Sequence, residues 1–447
     1  MKKLFILCIV LIIFILTFSA CSAPPPIIPD YSPYQEYPTE VFTEEYPEHS
    51  AEMFTEEEPE YPAEVITEED PAYPAEIPTE KCPEYPIAQD AYSEIIIHIP
   101  NAHTRPGDIA IQHIIFMNDY LYARTAFTYR ELEAAQWLVE TLLAMGYDEA
   151  DIQLQEFSRD DAMSVLPITD YSTLATAISD FAGEREKRNY SQNVILTIPG
   201  ESEQTIIVGA HYDTWPFPGA ADNGSGVALL LENAQRMRNL EPYHTIIYIF
   251  FGAEEIGLLG ARYYLSSLSE EELENILFML NADLLFEGPA LVYCAGVKIT
   301  GVRQGGLVGE NRFTRAWDTI AYELNTLHDD LELISYPEGL GQFFSDHYVF
   351  YTIEIPVIVF SGLYQRSDGT ISVRRPFLFQ WEYHEDGTPY ARWTDTYQEG
   401  VFSLYSGILH GSQDCFHFIN EHFPGKMERA MWGYALFLEA ILLQVYS

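Results

Sequence analysis

The feature that most constrains the fold is a series of short, nearly continuous apolar runs, each followed by a helical stretch. His244 to Phe251 and Ile276 to Ala282 are almost wholly apolar. Residues 192–198 and 204–210 form two more runs around a Pro199-Gly200 turn, residues 152–157 form an earlier one, and residues 357–360 a short late one. A strand apolar on both faces must be covered on both faces. Between the runs, residues 129–145, 224–237, 258–268 and 310–324 carry apolar side chains at helical spacing, and residues 426–445 form a long apolar final helix. The pattern predicts an α/β fold with a mixed, largely parallel central sheet flanked by helices on both faces. Such sheets collect their chemistry at the carboxyl ends of the strands.

The first 94 residues belong to a different regime. Lys2 and Lys3 precede an apolar stretch over residues 4–18, too short for a comfortable membrane span and suited to an export signal. It ends in Phe18-Ser19-Ala20-Cys21, which resembles the bacterial lipoprotein processing signal. That resemblance implies a signal peptide over residues 1–21, lipidation of Cys21 and a chain anchored at the outer face of a bacterial membrane. A secreted chain is the alternative.

Residues 22–94 then carry a four-copy, 12-residue repeat. Glu40, Glu52, Glu64 and Glu76 stand in register, as do Pro47, Pro59, Pro71 and Pro83. Residues 30–94 hold 20 acidic residues and one Lys, and 14 of the 27 prolines lie in residues 24–86. Like charges repel and proline removes ladder donors, so the reading is a disordered, extended stalk. The remaining residues, 95–447, form the folded domain. The whole chain has 23 Lys and Arg against 68 Asp and Glu, a net charge of −45. That excludes capture of a nucleic-acid backbone and polybasic docking to anionic lipid. Five cysteines do not make a disulfide scaffold.

Polar clusters stand where the predicted strands end. His211-Tyr212-Asp213 follows one, and Asp222-Asn223-Gly224-Ser225-Gly226 comes soon after. Glu254-Glu255 follows the strand ending at Phe251, and Asn281-Ala282-Asp283 closes another. Taken singly, each has an ordinary reading: a capped loop, a solvated acid pair, a helix cap. Taken in order, they form a mixed imidazole and carboxylate set of the kind that Zn²⁺ uses. Two adjacent carboxylates beside a buried strand also call for a compensating cation.

The order H-x-D, D-N-G-S-G, E-E-x-G-L-x-G, N-x-D and a late His resembles the co-catalytic two-zinc exopeptidases. These include secreted bacterial aminopeptidases and relatives of glutamate carboxypeptidase and transferrin receptor. The resemblance runs from about residue 119 to residue 447, opening with Tyr122-Ala123-Arg124. It implies the zinc-exopeptidase fold, two Zn²⁺ per chain and hydrolysis of peptide substrates at the N-terminus by a metal-activated water. By position, His211 and Asp283 would serve one ion, Glu255 and His410 the other, and Asp222 both. Glu254 would be the general base, and Asp213 would orient the His211 imidazole. His410 is preferred as the late ligand because His410 and Asp414 have the family's spacing, with Gly411 where Thr is usual. His417, between Phe416 and Phe418, reads as a packing residue.

His347, in Ser345-Asp346-His347, has two readings: it faces substrate, or it is a structural hydrogen-bonding residue. Residues 366–401 read as a hairpin carrying Trp381 and Trp393, either a satellite core or a lid. Cys294 and Cys415 pair only if the fold brings them into bonding geometry. On the same fold, a carboxypeptidase, dipeptidase or glutaminyl cyclase remains an alternative reaction. A catalytically inactive surface receptor or adhesin is a further alternative, although such a protein should have lost ligands.

Overall fold

The computed structural model describes residues 104–163, 187–286, 288, 290–298, 308–309, 311–337, 340, 344–365, 371–372, 379–383, 389–393, 410–411 and 413–446. The signal segment, Cys21 and the acidic repeat lie outside the described residues.

Two helices lead in. Helix α1 (Asp108–Tyr120) starts where the backbone N–H groups of Gly107 and Ala110 donate to the buried Glu232 carboxylate, both at 2.7 Å. Helix α2 (Tyr129–Ala144) is capped by the Thr128 side chain, which accepts from Glu131 N, and it stops before Gly146 at φ 94°. Strand β1 (Ile152–Ser158) and the short α3 (Arg159–Met163) follow. Then come β2 (Tyr190–Ile198), β3 (Ser202–His211), α4 (Ser225–Met237) and β4 (His244–Phe251). Helices α5 (Leu259–Ser267) and α6 (Glu270–Glu274) precede β5 (Ile276–Ala282) and β6 (Ala290–Lys298). The chain continues through β7 (Val308–Gly309), α7 (Arg312–Leu327), β8 (Leu333–Ser335), α8 (His347–Thr352) and β9 (Val357–Gln365). It closes with β10 (Ile371–Ser372), β11 (Phe379–Tyr383), β12 (Pro389–Trp393), α9 (Phe416–His422) and α10 (Lys426–Leu442).

The main sheet runs β1-β2-β4-β3-β5-β9-β6-β7, with β8 on β6 and β10 on β9. Its centre, β4-β3-β5-β9, is parallel; outside it β1/β2, β2/β4, β9/β6 and β6/β7 are antiparallel and β6/β8 is parallel. The expected mixed α/β sheet is the one observed. β9 runs to Gln365, beyond the run over residues 357–360 that the pattern marked, because its later part pairs with β6. Strands β11 and β12 form the expected antiparallel hairpin, with Trp381 opposite Ala391.

The apolar runs are continuous because alternate residues feed two cores. Ile206, Val208 and Ala210 of β3 join one core, with Phe278 and Leu280 of β5 and Phe360 of β9. Helices α1, α2, α4, α7 and α10 cover that face through residues such as Ile114, Leu138, Leu230, Trp317 and Phe437. Ile207, Ile249, Met279 and Val359 point the other way, into a core closed by Tyr264 of α5 and Phe350 of α8. Burying each such side chain contributes about 1.5–3 kcal/mol. Across these strands the burial fixes register, since a one-residue slip would exchange the two faces. Helix α10 is also pinned by its Tyr434 hydroxyl, which donates to Ser361 O at 2.8 Å and accepts from Val292 N at 2.8 Å.

Two glycines let helices approach strand ends. A Cβ on Gly226 would sit 2.2 Å from Ala282 O, so only glycine lets α4 start against the end of β5. A Cβ on Gly260 would sit 2.4 Å from Gly252 O, which holds α5 tight against the end of β4. Both contacts are beside site residues. Cys294 is a buried thiol and Cys415 is disulfide-bonded, so these two do not pair with each other.

Candidate metal centre

Parallel β3, β4 and β5 end together, so their first loop residues converge. His211 is the last residue of β3 and is 1% exposed. Its Nδ1 lies 3.1 Å from the backbone carbonyl of Asp213, which favours the tautomer that donates there. Nε2 is then turned toward Asp222 Oδ1 at 3.2 Å, Asp283 Oδ1 at 3.4 Å and Glu254 Oε2 at 3.9 Å.

The resemblance implies that Asp213 orients the His211 imidazole, and the contact that does so is its backbone carbonyl, not its carboxylate. Its Oδ1 is 3.6 Å from His211 Nδ1, beyond hydrogen-bond range. Instead Oδ1 accepts from Glu254 N at 3.0 Å and Oδ2 from Glu255 N at 3.2 Å. Asp213 therefore orients the imidazole through its carbonyl, and its carboxylate ties the loop after β4 to the loop after β3.

Asp222 lies between two imidazoles. Oδ1 faces His211 Nε2 at 3.2 Å and Oδ2 faces His410 Nε2 at 3.0 Å. Burial opposes its charge, but the hydrogen bonds from His211 and His410 and their positive charge outweigh that, leaving the carboxyl below the usual range. Its backbone is held by Asp414, whose oxygens accept from Ala221 N at 2.6 Å and Asp222 N at 3.0 Å. The Asp222-Asn223 peptide bond is cis.

His410 Nε2 also lies 3.2 Å from Glu255 Oε2. Burial lowers the His410 pKa, but Glu255 and Asp222 more than reverse this and raise it to about 10. Burial, with the nearby Asp222 charge, raises Glu255 to about 7. The donor atoms fall into two groups, His211/Asp222/Asp283 and Asp222/Glu255/His410, with the atoms of each group within 4.8 Å of one another. Asp222 belongs to both.

The residues fit a pair of divalent cations. The carboxylates of Asp222, Glu254, Glu255 and Asp283 crowd a site where Asp222 is 7% and Asp283 8% exposed. Buried Glu255 Oε1 and Asp283 Oδ1 lack a hydrogen-bond partner among the described residues, a costly state for an acceptor with nothing to receive. Imidazole and carboxylate donors around an enclosed point are what Zn²⁺ takes. The backbone is also bent to serve the site. Ala253 (φ 55°), Leu284 (φ 56°) and His410 (φ 56°) occupy the left-handed region, each at or next to a site residue. Non-glycine residues there cost about 1–3 kcal/mol apiece, and they persist where surrounding structure enforces them.

Glu254 stands beside both groups and belongs to neither. Burial raises its pKa well above the usual carboxylate range, only partly countered by His211. His347 is fully buried at the start of α8, and burial lowers its pKa to about 3. Neither of its ring nitrogens is hydrogen-bonded among the described residues. His417 is exposed rather than packed, with Nε2 3.0 Å from Asp119 Oδ1.

Three site residues escaped the sequence reading. Arg124 is buried and donates to four carbonyls, those of Tyr212, Leu121, Pro218 and Gly219, pinning the loop between His211 and Asp222. Its signal was its place in the Tyr122-Ala123-Arg124 opening. Asp414 was visible only as the partner in the His410 spacing. Trp215, two residues after Asp213, had no signal beyond proximity. It stacks on His410 at 4.7 Å and donates from Nε1 to Glu255 Oε2 at 2.9 Å.

Fold and site together define a class: an α/β domain with two imidazole and carboxylate donor groups, sharing Asp222, beside the carboxyl ends of its parallel strands. Residues 193–406 match the model of peptidase family M28. A stretch of 81 residues, 18% of this chain, is 46% identical to Aminopeptidase YwaD of Bacillus subtilis and covers 18% of that protein. A stretch of 99 residues, 21% of this chain, is 43% identical to the Probable lipoprotein aminopeptidase LpqL of Mycobacterium tuberculosis and covers 20% of it. The matches therefore span about a fifth of each relative's length. The solved structure of BSAP, a zinc aminopeptidase from Bacillus subtilis, shares the fold: TM-score 0.50, 17% identity, 75% of this chain and 95% of that one.

Proposed function

We propose that this chain is a zinc aminopeptidase that releases N-terminal residues from peptides, with two Zn²⁺ ions at the shared Asp222. One observation carries the reading: two three-residue donor groups share a carboxylate, and a further, mostly buried Glu, 3.9 Å from His211, belongs to neither. The names of the two relatives, both aminopeptidases, support it.

His211, Asp222 and Asp283 would hold one ion, and Asp222, Glu255 and His410 the other. When bound, such a pair supplies Lewis-acid charge that acidifies water and polarises a peptide carbonyl. The chain's own residues do the rest. Asp213 and Asp414 hold the backbones of Glu254, Glu255 and Asp222, so the donors are set before substrate arrives. The Glu254 carboxylate takes a proton from the attacking water, whose oxygen bonds to the carbonyl carbon. As the C–N bond breaks, Glu254 returns that proton to the leaving nitrogen. Acid–base help of this kind is worth about 10²–10⁴-fold.

Residues 1–21 act as an export signal ending in lipidated Cys21, and residues 22–94 as an acidic stalk that carries the domain away from the outer face of the membrane. The charge and proline pattern of the repeat supports this, and one relative is named a probable lipoprotein. Among the described residues, no helix is long and apolar enough to cross a membrane.

The test is metal content of the purified chain, paired with aminoacyl, N-blocked and carboxyl-end reporter substrates. About two zinc per chain and chelator-sensitive cleavage of free-amine substrates alone is the expected result. Cleavage only from the carboxyl end, or cyclisation of an N-terminal glutamine with one zinc, would assign a sibling reaction. No bound zinc and no turnover would leave an inactive receptor.

A further inference from the structure

The two halves of the centre are held by different means, and one of them lacks the usual support. A metal-binding histidine ordinarily donates its second ring nitrogen to a carboxylate or carbonyl, which fixes the ring. His211 does so through Nδ1 to the carbonyl of Asp213. His410 does not: its ion-pair contacts are both through Nε2, and its Nδ1 makes no hydrogen bond among the described residues. Its side chain is 33% exposed, and its backbone is in the left-handed region at φ 56°. Among the described residues, nothing at Nδ1 stops that ring from turning.

Trp215 occupies the face of that ring. The two rings stack at 4.7 Å between centroids and 21° between planes. The indole Nε1–H donates to Glu255 Oε2 at 2.9 Å, the same oxygen that faces His410 Nε2 at 3.2 Å. The body of the indole packs on the small core of Phe127, Phe157, Ala253, Ile256 and Leu259. Ala253 and Ile256 bracket the Glu254-Glu255 pair. One side chain thus touches both residues peculiar to the second half, and it is anchored in the wall beside them.

We propose that Trp215 is the positioning residue of the Glu255/His410 half: its face fixes the His410 ring and its N–H fixes the Glu255 carboxylate. The indole gives the ring the support that no described residue gives it at Nδ1. Its ring contact and its hydrogen bond both go to this half, and neither goes to His211 or Asp283. The inference deepens the two-metal reading and rests on it.

The test uses the full chain, stripped with chelator and titrated with Zn²⁺. Wild type should take up two ions. Trp215→Ala should weaken one of the two by about 10–100-fold, the usual cost of removing such a support, and leave the other unchanged. Trp215→Phe keeps a stacking face without the N–H and should fall between them. Equal affinities in wild type and Trp215→Ala would overturn the proposal, and so would an equal loss at both sites, which marks a packing defect. A wild-type chain that binds one ion overturns the two-metal reading itself. The contact is then tested without metal, through the indole N–H resonance that Trp215→Phe removes. Glu255→Gln should shift that resonance and Glu254→Gln should not; no shift with Glu255→Gln overturns the proposal.

Discussion

The two halves of the centre differ in how deeply they are built. His211 and Asp283 stand at the ends of adjacent strands, β3 and β5, and are 1% and 8% exposed. Glu255 and His410 come from loops; the Glu255 side chain is buried, but the His410 side chain is 33% exposed. The first half inherits its geometry from sheet register. The second depends on side chains, Trp215 and Asp414 among them, to hold what the sheet does not. Sites built on strands are placed more accurately, and sites on loops need such supporting contacts.

The largest expected effect separates chemistry from both halves. Glu254→Gln should lower kcat by about 10²–10⁴-fold, with zinc content unchanged; loss of zinc would place Glu254 among the ligands. Next, His211→Ala should cost more than His410→Ala in metal-free stability, about 3–5 kcal/mol, because it leaves buried carboxylates uncompensated. Urea unfolding of both variants measures this, and equal losses would erase the distinction between the halves. Asp414→Asn should cost about 1–3 kcal/mol by weakening the hold on Ala221 and Asp222, and zinc affinity should fall with it.

The smallest effect is a pH dependence away from the ligands. Burial lowers His113 to about 4, so the folded state keeps it neutral while the unfolded chain protonates near 6.5. Its contribution is present above pH 6.5 and is lost as pH falls from 6.5 toward 4. His113→Phe should flatten the urea midpoint over that window, and an unchanged slope would assign it elsewhere.

Much of the site was legible because it follows from short-range order. An apolar run ending in His211, Glu254-Glu255 or Asp283 marks a strand end, and parallel strands bring their ends together. Helix α1 was not legible: its start is fixed by Glu232, 125 positions from Gly107 and 122 from Ala110. Arg124 read only as part of a motif, since its four carbonyl partners gather only when the loop before Asp222 folds back. Family position implies that Asp213 orients the His211 imidazole, and the fold has it do so through its carbonyl, while its carboxylate holds the backbone of Glu254 and Glu255.

By itself, the sequence determined the α/β class and the donor types, because strand periodicity and residue chemistry are local properties. The family resemblance already implied the grouping around Asp222 and the place of Glu254; only the tertiary structure decided which ring steadies His410 and what the Asp213 carboxylate holds. Those depend on distances of a few ångströms between segments far apart in the chain, and packing alone sets them.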